Sequence, residues 1–175
     1  MHLIGNMLFL WVFADNIEAV VGNRRFLLFY LLGGLIASGV HIAFEMSVQS
    51  GGQFACCMPC APGSSCEIGD TLCQGFIPSL GASGAISAIM GAYLVMFPGS
   101  KVKVLILFFT IQVPAILFLG FWFAEQLIAG MGSLSNLSAQ AAGVAWWAHI
   151  GGFVFGLLYG LRNRHLTSDL RRVVS

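Results

Sequence analysis

Five apolar stretches alternate along the chain with polar or Gly/Pro-rich punctuation. The first runs from Leu3 to Ala14, with a helical pattern reaching Val21. The second spans Phe26 to Phe44. A polar insert, Glu45 to Pro78, separates it from the third, Gly81 to Phe97, which Pro98-Gly99 closes. The fourth covers Val102 to Ala124, and Pro114 inside it predicts a kinked helix. A Gly/Ser/Ala-rich loop, Gln126 to Gln140, leads to the fifth, Ala141 to Leu161, and a polar tail begins at Arg162. A helical span needs about 20 apolar residues, about 30 Å at 1.5 Å per residue. Runs two, four and five meet that length, while one and three are short. The pattern predicts an all-α polytopic membrane protein. Residues 1–161 form its transmembrane domain, 45–78 an extracytoplasmic insert, and 162–175 a basic tail.

Composition supports the bilayer as the chain's solvent. Hydrophobic residues make up 58% and charged residues 9%, against about 25% charged in soluble domains. Mean hydropathy is +0.87. A net charge of +1 gives no electrostatic ground for a nucleic-acid partner. The N-terminus has no basic region before its apolar run, so no cleavable signal peptide is readable.

The placement of charge says more than its sum. Arg24 and Arg25 lie between runs one and two, Lys101 and Lys103 between three and four, and Arg162, Arg164, Arg171 and Arg172 after five. These are all the Lys and Arg residues. With five spans they share one face, which the positive-inside rule makes cytoplasmic. The opposite loops hold Glu45, Glu67, Asp70 and Glu125 and no basic residue. The expected setting is a bacterial inner (plasma) membrane, with the C-terminus cytoplasmic.

Orientation makes depth calculable. Counting up from Phe97, Ser83 sits ~9 Å below the outer boundary. Counting up from Leu161, His149 sits ~12 Å below it, and counting from Ala14 gives His2 the same ~12 Å. Asn6 lies one turn deeper on the same helix face as His2. Polar residues of three helices thus converge on one level. That depth for His2 also predicts a helix continuing upstream, and hence an N-terminally truncated form.

Polar groups at such depth are functional candidates, since burying them in hydrocarbon is costly. Alone, Gly81-Ala82-Ser83-Gly84 fits close helix packing as readily as a nucleophile site. With His149 at the same level, the histidine can take the Ser83 proton and return it to a leaving amine. No acid is placed to orient His149, which predicts a Ser–His dyad. His2, Asn6 and the Ser83 backbone N–H supply donors for an oxyanion hole. Such chemistry calls for no cofactor and no metal.

These motifs resemble those of the rhomboid intramembrane serine proteases, most closely the bacterial type. The matching stretches are His2-x-x-x-Asn6 with Met7-Leu8-Phe9-Leu10-Trp11, Gly81-Ala82-Ser83-Gly84, and Ala148-His149-Ile150-Gly151-Gly152-Phe153. Asp15-Asn16-Ile17-Glu18 is similar to the family's inner-end motif. The resemblance implies a rhomboid-like helical bundle with five of the usual six transmembrane helices and a short central helix carrying the serine. It implies Ser83 as nucleophile, His149 as base, and His2 and Asn6 as oxyanion partners. It also implies a lateral substrate gate flanked by Phe9 and by Trp122 and Phe123, and transmembrane proteins as substrates. Some members carry a Tyr four residues after the serine, where this chain has Ser87.

Other features read structurally. Gly152, Gly156 and Gly160 are spaced by four, which lets that helix approach Gly84 and Gly91 of run three. Trp146 and Trp147 read as interfacial anchors. Cys56, Cys57, Cys60, Cys66 and Cys73 lie on the outer side, where disulfides persist. Cys57-x-x-Cys60 also fits half of a zinc site. The rival to a protease is an inactive relative that binds transmembrane helices without cleaving them. A transporter would place its polar groups at the midplane.

Overall fold

The computed structural model describes residues 2–49, 82–106, 109–135 and 145–174. The five cysteines and Gly81 lie outside the described residues. Helix α1 (His2–Val21) is followed by α2 (Asn23–Gln49). Gly22 alone joins them, at φ +84°, a left-handed conformation that favours glycine. Its N–H donates to the Glu18 carbonyl at 2.8 Å and closes α1. Helix α3 (Ser83–Met96) is 14 residues long. Strands β1 (Lys101–Ile106) and β2 (Phe109–Pro114) form an antiparallel hairpin, and α4 (Ala115–Ser135) and α5 (Trp146–Val174) complete the order.

Among the described residues, three helical segments are long and apolar enough to cross a membrane: Leu3–Val21, Asn23–Phe44 and Ala115–Gly132. The short first run is therefore part of a full-length helix. The fourth run is not one span. Its first half alternates exposed Lys101 and Lys103 with Val102, which is 6% exposed. This period of two is a strand pattern. Pro114 does not kink a helix; it ends β2 and pairs with Lys101. The helix starts directly after it, where the missing N–H of proline disturbs no helical bond. Helix α4 then runs through Gln126 to Ser135, which the sequence pattern assigned to a loop. At the other end, α5 continues without a break through the polar tail to Val174.

The centre of the bundle is α3, buried from Gly84 through Tyr93. A helix so enclosed needs small residues, and α5 meets it with glycines. A side chain at Gly152 would strike the Gly84 carbonyl oxygen, and one at Gly156 the Ala88 oxygen. At Gly160 a β-carbon would stand 2.9 Å from the Ala92 oxygen. The two helices therefore run parallel, residue for residue, with backbones in contact. Gly91 completes the seam from the other side, against the Phe153 carbonyl.

Helix α2 runs antiparallel to this pair. Phe29 stacks on Tyr159 at 4.1 Å near one end, and Phe44 on Trp147 at 3.6 Å near the other. Helix α1 joins the core through Phe13, whose ring meets Tyr93 edge-on at 5.0 Å. As a result, the α1–α2 turn, the β-hairpin and the later half of α5 share one end of the bundle. Arg24, Arg25, Lys101, Lys103, Arg162 and Arg164 belong to that end, and Ser83 and His149 to the opposite one.

Candidate active site

Ser83 is the first residue of α3. The first helical bond there runs from the Ile86 N–H to the Ala82 carbonyl at 3.0 Å. The N–H groups of Ser83, Gly84 and Ala85 precede it and have no partner within the helix. They form the positive end of the α3 dipole. Four residues on, the Ser87 hydroxyl donates to the Ser83 carbonyl at 2.7 Å. Ser87 is 1% exposed, so this bond satisfies a hydroxyl cut off from solvent.

His149 stands in the first turn of α5, its N–H bonded to the Ala145 carbonyl at 3.2 Å. Because α3 and α5 start at the same end and touch through Gly84 and Gly152, the two first turns face each other. His149 Nε2 lies 2.8 Å from Ser83 Oγ. The other ring nitrogen, Nδ1, lies 2.8 Å from Oε1 of Gln126 on α4. Two aromatic rings flank the imidazole. Trp122 is 5.8 Å away, tilted by 38°, and Trp146 is 6.3 Å away, edge-on at 88°. A histidine bonded at both nitrogens and walled by indoles is held in one orientation. This arrangement can move a proton from a hydroxyl to an imidazole and leave an alkoxide beside helix N–H donors.

The chain matches the Rhomboid domain over residues 1–165. It belongs to the rhomboid family. Presenilin-associated rhomboid-like protein A, mitochondrial, of Danio rerio is 28% identical over 165 residues, covering 90% of this chain and 33% of the relative. Rhomboid protein 1, mitochondrial, of Saccharomyces cerevisiae is 30% identical over 166 residues, covering 91% and 37%. RHOMBOID-like protein 12, mitochondrial, of Arabidopsis thaliana is 30% identical over 155 residues, covering 83% and 41%. The chain spans between about a third and two fifths of the length of these curated relatives. All three are mitochondrial proteins by name, a setting that the motifs did not suggest. No solved structure gives a significant match.

Against this rhomboid framework, the remaining expected residues divide. His2 and Asn6 lie one turn apart on α1, and no hydrogen bond links Asn6 to the Ser83–His149 pair among the described residues. Phe9 stacks on Phe118 of α4 at 6.3 Å and on Phe13 at 6.0 Å. Trp122 and Phe123 are not at a helix end. They are the eighth and ninth residues of α4 and pack inward on Phe153, Phe123 at 4.4 Å. Trp147, read as an interfacial anchor, packs on Phe44. Gln126 was missed altogether. The signal that finds it is its spacing of four from Trp122 and from Gly130, the face of α4 that meets α5.

Proposed function

We propose that this rhomboid-family protein is an intramembrane serine endopeptidase that hydrolyses peptide bonds in or near transmembrane segments. The observation that carries this reading is the 2.8 Å approach of His149 Nε2 to Ser83 Oγ at the head of a buried helix. His149 takes the hydroxyl proton as Ser83 Oγ bonds to the scissile carbonyl carbon. The resulting oxyanion accepts from the Ser83 N–H at the α3 terminus and from His2 and Asn6 of α1. Collapse breaks the C–N bond, and His149 passes its proton to the departing amine. Water, deprotonated by His149, then releases the acyl group and restores Ser83.

Substrates reach the pair sideways from the bilayer, between α1 and α4, where Phe9 meets Phe118 and Trp122 and Phe123 lie further along. They are transmembrane proteins with small residues and a weakened helix near the outer end. The basic end of the bundle faces the cytoplasm of a bacterial plasma membrane, and the Ser83 end opens to the extracytoplasmic side.

The test is cleavage of a reporter transmembrane substrate by the purified protein in liposomes, with Ser83→Ala and His149→Ala in parallel. Each substitution is expected to lower cleavage by roughly 1000-fold or more. Cleavage that survives either change overturns the mechanism. No cleavage by the unsubstituted protein favours a helix-binding relative without protease activity.

A further inference from the structure

We propose that Gln126 is a positioning residue for His149, fixing the ring tautomer that leaves Nε2 free to accept the Ser83 proton. The inference rests on the reading of Ser83 and His149 as nucleophile and base. A neutral imidazole carries its proton on one nitrogen only, and the partner of the other nitrogen decides which. An amide oxygen is an acceptor and nothing else, so Oε1 at 2.8 Å calls for N–H at Nδ1. Nε2 then presents a lone pair to Ser83 Oγ at 2.8 Å. The reverse tautomer would set the bare Nδ1 lone pair against those of Oε1, and its Nε2–H could only donate to Ser83 Oγ, with no lone pair left to take the proton.

Burial gives the contact its weight. Gln126 is 4% exposed, on the α4 face that carries Trp122, Phe123 and Gly130 and away from exposed Glu125. An amide held there without a partner costs about 1–3 kcal/mol. The bond to His149 offsets that cost and ties α4 to α5. One turn before it on α4, Trp122 packs on the imidazole. One turn after it, the Cα of Gly130 lies where a β-carbon would stand 3.3 Å from Ile150 and 3.6 Å from Trp146. Gln126 is therefore held between two points where α4 packs on α5.

An amide also differs from the carboxylate that occupies this place in a Ser–His–Asp triad. It orients the ring without adding a buried negative charge, which would be costly at membrane depth. When Ser83 gives up its proton, Nδ1–H keeps its acceptor, and no second proton has to move. Toward the Ser83 end of the bundle, the titratable residues on the surrounding elements are exposed Glu125 on α4, His41 and Glu45 on α2 and His2 on α1, while Asp15, Glu18, Arg24, Arg25, Tyr30 and Tyr93 belong toward the other end. Replacing Gln126 with Glu would add a carboxylate in direct contact with the ring.

The experiment measures the pH dependence of Ser83 labelling by a fluorophosphonate probe on the full chain in detergent. Labelling forms an Oγ–P bond and expels fluoride, while the serine proton goes to His149. Ser83→Ala serves as the control, and melting temperature confirms that each variant is folded. Q126E keeps an acceptor at Nδ1 and is expected to label with its acid limb about 1–3 pH units higher. Q126L removes the acceptor and is expected to label about 10–100-fold more slowly at every pH, with no displaced limb. An unmoved acid limb in Q126E, or no labelling of folded Q126E at any pH, overturns the proposal. So does wild-type labelling of Q126L. Labelling that persists in Ser83→Ala would instead overturn the reading of Ser83 itself.

Discussion

Trp122 of α4 sets its indole 5.8 Å from the imidazole of His149, on the ring that also bonds Ser83 and Gln126. Such aromatic contacts contribute about 0.5–1.5 kcal/mol beyond area burial, or ~2–10-fold in a rate that depends on ring orientation. Trp122→Ala should lower turnover of a reporter substrate by roughly 10-fold, and Trp122→Phe by about 2-fold. Equal turnover in all three proteins would show that the indole has no orienting role.

Gly156 faces the Ala88 carbonyl across the α3–α5 seam. The obstacle is backbone, so it cannot be relieved by turning a side chain. Gly156→Ala should force the helices apart and destabilise the fold by about 1–3 kcal/mol. Activity should fall with it, although residue 156 is two turns from His149. Thermal melting in detergent reads the first effect and reporter cleavage the second. Gly120, with nothing within 4 Å of an added β-carbon, is the control that should tolerate alanine.

The Ser87 hydroxyl serves the helix, not the reaction. Ser87→Ala should cost about 0.5–1.5 kcal/mol of stability through the lost bond to the Ser83 carbonyl. Reporter turnover at saturating substrate should stay within about 2-fold of wild type. A large loss of turnover without a loss of melting temperature would place Ser87 in the chemistry.

The shared end of the bundle that holds Arg24, Arg25, Lys101, Lys103, Arg162 and Arg164 predicts orientation. In a bacterial host, a fluorescent-protein fusion after Ser175 should be bright and an alkaline phosphatase fusion there inactive. The reverse pattern would turn the molecule over and move the Ser83 end to the cytoplasm.

Much of this architecture was legible because the apolar runs are cleanly punctuated. Gly22 and Pro98-Gly99 mark real helix ends, and the spacing of Gly152, Gly156 and Gly160 forecast a seam with α3. The error lay in run four, where apolar content was read without its period. Lys101, Val102 and Lys103 alternate as a strand does, and Pro114 stands at the junction of strand and helix. Missing that shift moved the predicted helix upstream by half its length. Trp122 was then placed at a helix end and Gln126 in a loop, out of reach of His149. Charge does not mark Gln126 either, because an amide carries none. The spacing of four from Trp122 and Gly130 puts Gln126 on the right face of α4, but its contact with His149 is set by tertiary packing.

The seam between α3 and α5 has a consequence for how the site can fail. Ser83 and His149 hang from helices whose backbones touch, with no long side chain between to take up slack. Slipping one helix by a residue would displace it about 1.5 Å and turn it by roughly 100°, carrying the imidazole off the hydroxyl entirely. Intermediate alignments would press carbonyls into positions that only glycine leaves open. Ser83 and His149 are thus kept in step by a ratchet with widely spaced teeth. A perturbed bundle either holds the alignment or loses it outright, and a partly misaligned, slowly working population has no place to settle.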